Sequence, residues 1–214
     1  MDTIKEMLKC KYPIIQGAMG VICNPELVAA VSEAGGFGLL ATAFSQDSEI
    51  IQKQVRETKK LTDKPFGLNL FTMNPLVQEF VDILADEGIG IVTISGGSPK
   101  KIIPYLHGRG IKAIVVVPTV DLARKAESSG ADAVIAEGSE SGGMQGYNGA
   151  STMVLVPAVS DAVNIPVIAA GLSRGDEIAI LNGEIGEFAG QKQVRLGPGA
   201  RVVLLKSSED LDPF

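Results

Sequence analysis

"GIKAIVVVPTVDLARKAESSGADAVIAEG", residues 110–138, contains one complete repeat unit of this chain. Gly110 precedes a short run, "IKAIVVVP", that is apolar on both faces. A helical segment follows, closes at Gly130 and gives way to a second such run, "ADAVIAEG". Glycine after a helix is the common left-handed cap, and a strand apolar on both faces belongs to a parallel sheet covered by helices. The stretch therefore predicts strand, helix and parallel strand in succession. The same helix-to-glycine-to-strand junction recurs in "SEAGGFGLLAT" and "ADEGIGIVTIS".

Outward from this unit, "YPIIQGA", "KPFGLNLF", "IPVIAAG" and "KQVRLGPGARVVLL" bring the candidate strands to eight, at intervals of roughly 20 to 33 residues, the size of a βα unit. The segments between them, such as "NPELVAAVSEA", "SEIIQKQVRETKK" and "NPLVQEFVDILADE", carry apolar residues at helical spacing, with Asn or Asp near their starts to cap free N–H groups. Eight such units predict an α/β fold, a (β/α)8 TIM barrel over residues 1–206, followed by a polar tail, 207–214. A doubly wound open sheet shares the alternation, but no reversal of strand order is evident. Strand ends are expected near Gly17, Thr42, Phe71, Ser95, Pro118, Gly138, Gly171 and Gly197. The seventh helix reads as short, because Gly183, Gly186 and Gly190 interrupt it.

Composition narrows the partner. With 19 Lys and Arg against 25 Asp and Glu, the net charge of −6 disfavours nucleic acid and anionic membrane surfaces and leaves a small molecule as the expected ligand. "MDTIKEMLKC" has no long apolar region and no run approaches a bilayer span, so a soluble, cytoplasmic protein is expected. Cys10 and Cys23 show neither metal-ligand spacing nor a disulfide framework, and Cys23 reads equally as a buried small apolar residue. No GxxxxGK[ST], HExxH or CxxC motif is present, so nucleotide hydrolysis and metal catalysis have no motif behind them.

In a barrel of this kind the ligand lies at the C-terminal ends of the strands. Those ends read "QGAMG", "LNLF", "SGGSP", "EGSESGG", "AAGLSRG" and "LGPGAR". Glycine-rich loops at the last two strands, leading toward a helix N-terminus, are the usual barrel site for a phosphate held by backbone N–H groups. A phosphorylated cofactor or substrate is implied.

The stretches "YPIIQGAMG", "AVSEAGGFGLL", "LTDKPFGLNL", "GIKAIVVVPTVDLARKAESSGADAVIAEGSESGG" and "NIPVIAAG" together resemble, over about residues 1–171, the FMN-dependent family of nitronate monooxygenases (2-nitropropane dioxygenases) and flavin-type enoyl-acyl-carrier-protein reductases. "DKPFGLNL" and "GADAVIAEG" resemble the enoyl-reductase branch more closely. The resemblance implies an FMN across the mouth of the barrel. Gly17, Ala18 and Met19, then Asn69, then Glu137, Gly142 and Gly143, then Gly171, Gly197 and Gly199 would surround it. Asn amides can donate and accept at a flavin edge, and glycines let main-chain N–H groups approach ring and phosphate.

Three departures stand out. Met144 occupies the place of a family histidine that serves as base or proton donor. A thioether cannot transfer a proton near neutrality, and Tyr147 is the candidate substitute. His107, in "YLHGRG", falls instead at a helix end, where the helix dipole favours it. Leu172 stands where the family has glycine, and a barrel without the family's C-terminal helical lid is expected. An open flavin would need a partner subunit to cover it, so a homodimer is one expectation. The resemblance implies reduction of a 2-enoyl thioester by NAD(P)H through FMN, as in fatty acid biosynthesis. Alternatives are oxidation of alkyl nitronates with O2, or a degenerate barrel that binds FMN or another phosphate ligand with little turnover.

Overall fold

The computed structural model describes residues 3–142, 146, 150–171, 177–188 and 191–206, the last two stretches as backbone. The chain divides into two compact units, one formed by Ile4–Val116 with Ala126–Ala133, the other by Met1–Thr3, Val117–Lys125 and Val134–Phe214.

The first unit is a run of βα repeats. Strands β1 (Gly38–Ala41), β2 (Phe66–Phe71), β3 (Ile91–Ser95) and β4 (Lys112–Val117) pair in parallel and in chain order. Their registers include Leu40 opposite Leu68, Leu68 opposite Val92 and Val92 opposite Ala113. These residues are fully buried, as doubly apolar strands require, and each buried Leu or Ile contributes about 1.5–3 kcal/mol relative to exposure. Helices α1 (Thr3–Leu8), α2 (Pro25–Glu33), α3 (Ser48–Leu61), α4 (Val77–Asp86) and α5 (Ile102–His107) intervene. Asn24 caps α2 by accepting from the Leu27 N–H at 2.9 Å, and Asp47 caps α3 by accepting from Glu49 N–H at 2.8 Å. The helices bury one stripe each: Ile51, Val55 and Thr58 on α3, and Phe80, Val81 and Leu84 on α4.

The junction glycines behave as the sequence predicts. Gly35, Gly88, Gly110 and Gly130 all have φ between 71° and 95°, the left-handed region in which a helix ends cheaply only with glycine. Gly38 has a different reason. A Cβ there would lie 2.4 Å from the Val28 carbonyl oxygen, so α2 packs directly onto the backbone of β1.

The second unit contains β5 (Ala133–Glu137, its first residue shared with the other unit) and β6 (Val167–Ala170). They are parallel, with Val134 opposite Val167 and Glu137 opposite Ala170. Helix α6 (Val120–Ser128) follows β4, with Thr119 Oγ1 accepting from the Leu122 N–H at 3.3 Å. Helix α7 (Thr152–Ser160) lies between β5 and β6 in the chain. Strands β7 (Glu177–Phe188) and β8 (Gln191–Lys206) pair with each other, antiparallel.

The strand count differs from the expected eight. Among the described residues six strands are parallel. The expected first strand, "YPIIQGA", is reduced to an isolated parallel bridge, Ile15 opposite Phe37. Pro13 lacks a backbone donor, which shortens any ladder at this point. Residues 193–206 are not a parallel eighth strand but lie within the β7–β8 hairpin. The glycines that interrupt the expected seventh helix leave apolar and β-branched residues on both sides of a two-residue link, a pattern that hairpin pairing satisfies locally. The tail, 207–214, lies outside the described residues.

Candidate active site

Two sets of residues stand at the C-terminal ends of the parallel strands, one in each unit. In the first unit, Asn69 of β2 is 7% exposed. Its Nδ2 donates to Thr93 Oγ1 at 2.9 Å, and its Oδ1 accepts from Ser95 Oγ at 3.0 Å. Both partners lie on the adjacent β3, so the sheet fixes which way the amide faces. One N–H and one oxygen lone pair remain beyond these two bonds. Thr42 Oγ1 donates to the Asn69 carbonyl at 2.8 Å, and Asn74 Nδ2 donates to the Thr42 carbonyl at 3.1 Å, which ties together the ends of β1 and β2.

The loop containing Gly17, Ala18 and Met19 is held from beneath by Gln16 and Cys23. Cys23 Sγ, 2% exposed, accepts from the Met19 N–H at 2.9 Å and from Gln16 Nε2 at 3.0 Å, and Gln16 Oε1 accepts from the Leu39 N–H at 3.3 Å. Cys23 is therefore a loop organiser rather than a plain apolar filler, and Gln16 is a positioning residue the sequence did not single out. No atom lies within 4 Å of where a Gly17 Cβ would stand, so its main chain faces open space. Met19, Val21, Phe44 and Met73 are exposed on the loops of this end, an apolar surface suited to a flat ring.

In the second unit, Glu137 ends β5, half-buried, and burial raises its carboxyl above the ordinary value, while a hydrogen bond with the Ser141 side chain acts in the opposite direction. Beyond it the loop is clasped to the start of α7 and the end of β6. Glu140 Oε2 accepts from the Thr152 N–H at 2.8 Å and from Thr152 Oγ1 at 3.0 Å; Thr152 Oγ1 also lies 3.1 Å from the Ala170 carbonyl. Gly138 N–H donates to the Ala170 carbonyl at 2.9 Å, and Ser141 N–H to the Gly138 carbonyl at 3.1 Å.

This clasp explains two of the glycines. A Cβ at Gly138 would lie 2.0 Å from Thr152 Oγ1, and one at Gly171, where φ is 107°, would lie 2.6 Å from that same oxygen. Gly142 is of the other kind, with nothing within 4 Å of a Cβ position. Within each unit, open main chain and an oriented polar group, Gly17 with Asn69 in the first and Gly142 with Glu137 in the second, suit a flat, polar-edged ligand such as a flavin.

Other expected residues lie elsewhere. Gly143, Met144, Tyr147 and Leu172 lie outside the described residues, and Gly197 and Gly199 lie within β8. Ala18 is exposed in its loop. His107 ends α5, as expected, with Nε2 2.9 Å from Asp132 Oδ2, which also accepts from the Ala113 N–H at 2.8 Å. No helix among the described residues is long and apolar enough to cross a membrane.

The model of the nitronate monooxygenase family matches residues 2–87 and 77–182. The chain belongs to that family. It is 35% identical over 192 residues to a (3aS,4S,5R,7aS)-5-hydroxy-7a-methyl-1-oxo-octahydro-1H-indene-4-carboxyl-CoA dehydrogenase of Rhodococcus jostii, covering 88% of this chain and 54% of that protein. To a probable nitronate monooxygenase of Staphylococcus saprophyticus it is 34% identical over 210 residues, covering 77% of this chain and 59% of that one. Among solved structures, FabK from Thermotoga maritima superposes with a TM-score of 0.73 at 43% identity, over 78% of this chain and 52% of that one. A nitroalkane oxidase from Streptomyces ansochromogenes gives 0.70 at 29% identity, over 78% and 60%. The chain thus spans about half the length of these relatives, and its fold is the TIM-barrel type of α/β architecture.

Proposed function

We propose that this family member is an FMN-dependent oxidoreductase that uses NAD(P)H to reduce the C=C bond of a 2-enoyl thioester. The observation that carries the reading is that each unit, taken by itself, carries open glycine backbone and an oriented polar group toward the C-terminal ends of its parallel strands: Gly17 and Asn69 in the first, Gly142 and Glu137 in the second. The thioester is favoured over other substrates by two likenesses. FabK represents the enoyl-reductase branch, and the Rhodococcus relative is named for a CoA thioester. FMN, when bound, supplies two-electron chemistry between nicotinamide and substrate.

The chain's own residues then do the following. The main chain at Gly17, and separately at Gly142, would admit a flat ring at close range, because among the described residues no atom lies within 4 Å of a Cβ position at either. Asn69, locked by Thr93 and Ser95, presents its remaining N–H and lone pair to a ring edge without a rotational cost at binding. Gly171 and the glycines of β8 are the candidates for the phosphate. Nitronate oxidation with O2 is the second reading, supported by the family's name and the Staphylococcus relative.

A spectrum of the purified protein tests the cofactor, since bound flavin absorbs in the near ultraviolet and the blue. Anaerobic bleaching by NADH followed by recovery on addition of a 2-enoyl thioester is the expected outcome. Recovery or turnover only with an alkyl nitronate and O2 supports the second reading. Bound flavin with neither response leaves a barrel that binds without turnover.

A further inference from the structure

The end of the first unit's sheet opposite the candidate site also has a cavity. Phe66, Ile91 and Lys112 are the first residues of β2, β3 and β4, and all three line a hollow of about 560 Å3 whose walls belong wholly to that unit. Small-molecule sites fall at about 300–1,000 Å3. Leu8 and Phe37 complete the apolar wall, and like Phe66 and Ile91 they are no more than 8% exposed.

Charge gathers around this apolar wall. Four lysines, Lys9, Lys59, Lys64 and Lys112, share the lining with three carboxylates, Glu6, Asp63 and Glu87. Glu87 is already committed, its Oε1 accepting from Arg56 Nε at 2.6 Å and its Oε2 from Lys59 Nζ at 3.3 Å. Lys9, Lys64 and Lys112 have no ion-pair partner among the described residues, and they outnumber the remaining Glu6 and Asp63. A chain of net charge −6 thus keeps a net-positive rim here.

Two backbone features point to a ligand. Lys9 follows α1 with a φ of 52°, the one non-glycine residue with positive φ among the described residues. Glycine takes that conformation without a steric cost, so the lysine is kept there against the preference of the backbone. Gly90, exposed in the lining, has neither left-handed φ nor packing to account for it: among the described residues nothing lies within 4 Å of a Cβ position.

We propose that this cavity binds an organic anion, a carboxylate or a phosphate ester on an apolar body, with its head group among Lys9, Lys64 and Lys112 and its body against the apolar wall and the main chain of Gly90. The site does not depend on the redox reading. Asn69 stands toward the other end of β2 from Phe66, so a flavin beside Asn69 and an anion in this cavity do not compete. Leu8 ends α1, while Pro65, Gly90 and Gly110 precede β2, β3 and β4, so a bound anion joins four segments and stabilises the folded state by mass action.

The test uses the whole chain and four probes below their micellar concentrations: octanoate, octyl phosphate, uncharged octyl glucoside and inorganic phosphate. At least one octyl anion should raise the melting temperature, and calorimetric titration should give a Kd that weakens as NaCl is added. Octyl glucoside and inorganic phosphate should bind at least about tenfold more weakly, since each lacks one half of the recognised chemistry. Lys9→Gly should raise the melting temperature of the free protein, because it removes the left-handed lysine, and yet weaken the octyl anion about fivefold or more. Those opposite signs are not produced by a damaged fold. Gly90→Leu should fill the hollow and abolish binding, and excess FMN should leave the octyl anion's Kd unchanged. Whichever octyl anion binds more tightly identifies the head group. The proposal is overturned if neither octyl anion gives heat or a thermal shift, or if Lys9→Gly or Gly90→Leu leaves binding intact. Equal binding of octyl glucoside or inorganic phosphate, or displacement by FMN, overturns it as well. None of these outcomes bears on the flavin spectrum, by which the redox reading is judged separately.

Discussion

The glycines of the β5 loop and those of the loop after Gln16 look alike in sequence and differ in cause. Gly138 and Gly171 are small because Thr152 occupies the space a side chain would need. Gly17 and Gly142 have, among the described residues, nothing within 4 Å of a Cβ position. The first kind is explained entirely by the protein's own packing, through the Glu140–Thr152–Ala170 clasp. The second kind has no internal explanation, and a ligand approaching the backbone provides one. A glycine-rich strand end is therefore not a single signal: packing accounts for Gly138 and Gly171, and a ligand would account for Gly17 and Gly142.

Substitutions at the clasp should have the largest effects. Gly171→Ala combines left-handed strain with a contact on a hydroxyl that is itself held in place, and should cost about 3 kcal/mol or more, lowering the melting temperature by roughly 10 °C. Calorimetry showing an unchanged transition would break the distinction between the two kinds of glycine. Glu140→Ala should cost about 1–3 kcal/mol, since it leaves the Thr152 N–H and hydroxyl without their carboxylate, whereas Glu140→Gln keeps an acceptor oxygen and should recover most of the loss. Equal losses for both variants in chemical denaturation would show that the clasp depends on charge rather than on hydrogen bonding. Gly142→Ala should change stability by no more than about 0.5 kcal/mol, yet weaken FMN binding roughly tenfold by intruding on the ring. An FMN titration unaltered by this substitution would remove Gly142 from the site.

Much of this was legible in the chain itself. Strand ends expected at Thr42, Phe71, Ser95, Pro118, Gly138 and Gly171 fall within one residue of the observed Ala41, Phe71, Ser95, Val117, Glu137 and Ala170. They were readable because a doubly apolar run bounded by glycine or polar residues is a local pattern. Asn69 and Glu137 stand at the ends of such runs, and a place for them beside a flavin is what the family resemblance implies. What escaped depends on partners distant in sequence. Glu140 meets Thr152 only after the loop folds back, and Cys23 meets the Met19 N–H only once the chain turns through Gly20–Ile22. The β7–β8 hairpin escaped for another reason. Apolar residues at mixed spacing among glycines satisfy a helix followed by a strand nearly as well as two paired strands, and only the register decides.

On the proposed reading, the open strand ends hold a flavin that passes electrons from nicotinamide to an activated double bond. Anaerobic titration of the FMN-loaded protein with NADH, followed by a 2-enoyl thioester, tests it most directly through the flavin absorbance alone. Stoichiometric bleaching by NADH and stoichiometric return of the oxidised spectrum with the thioester is the predicted result. Flavin that stays oxidised in excess NADH, or that stays reduced in excess thioester, would contradict it.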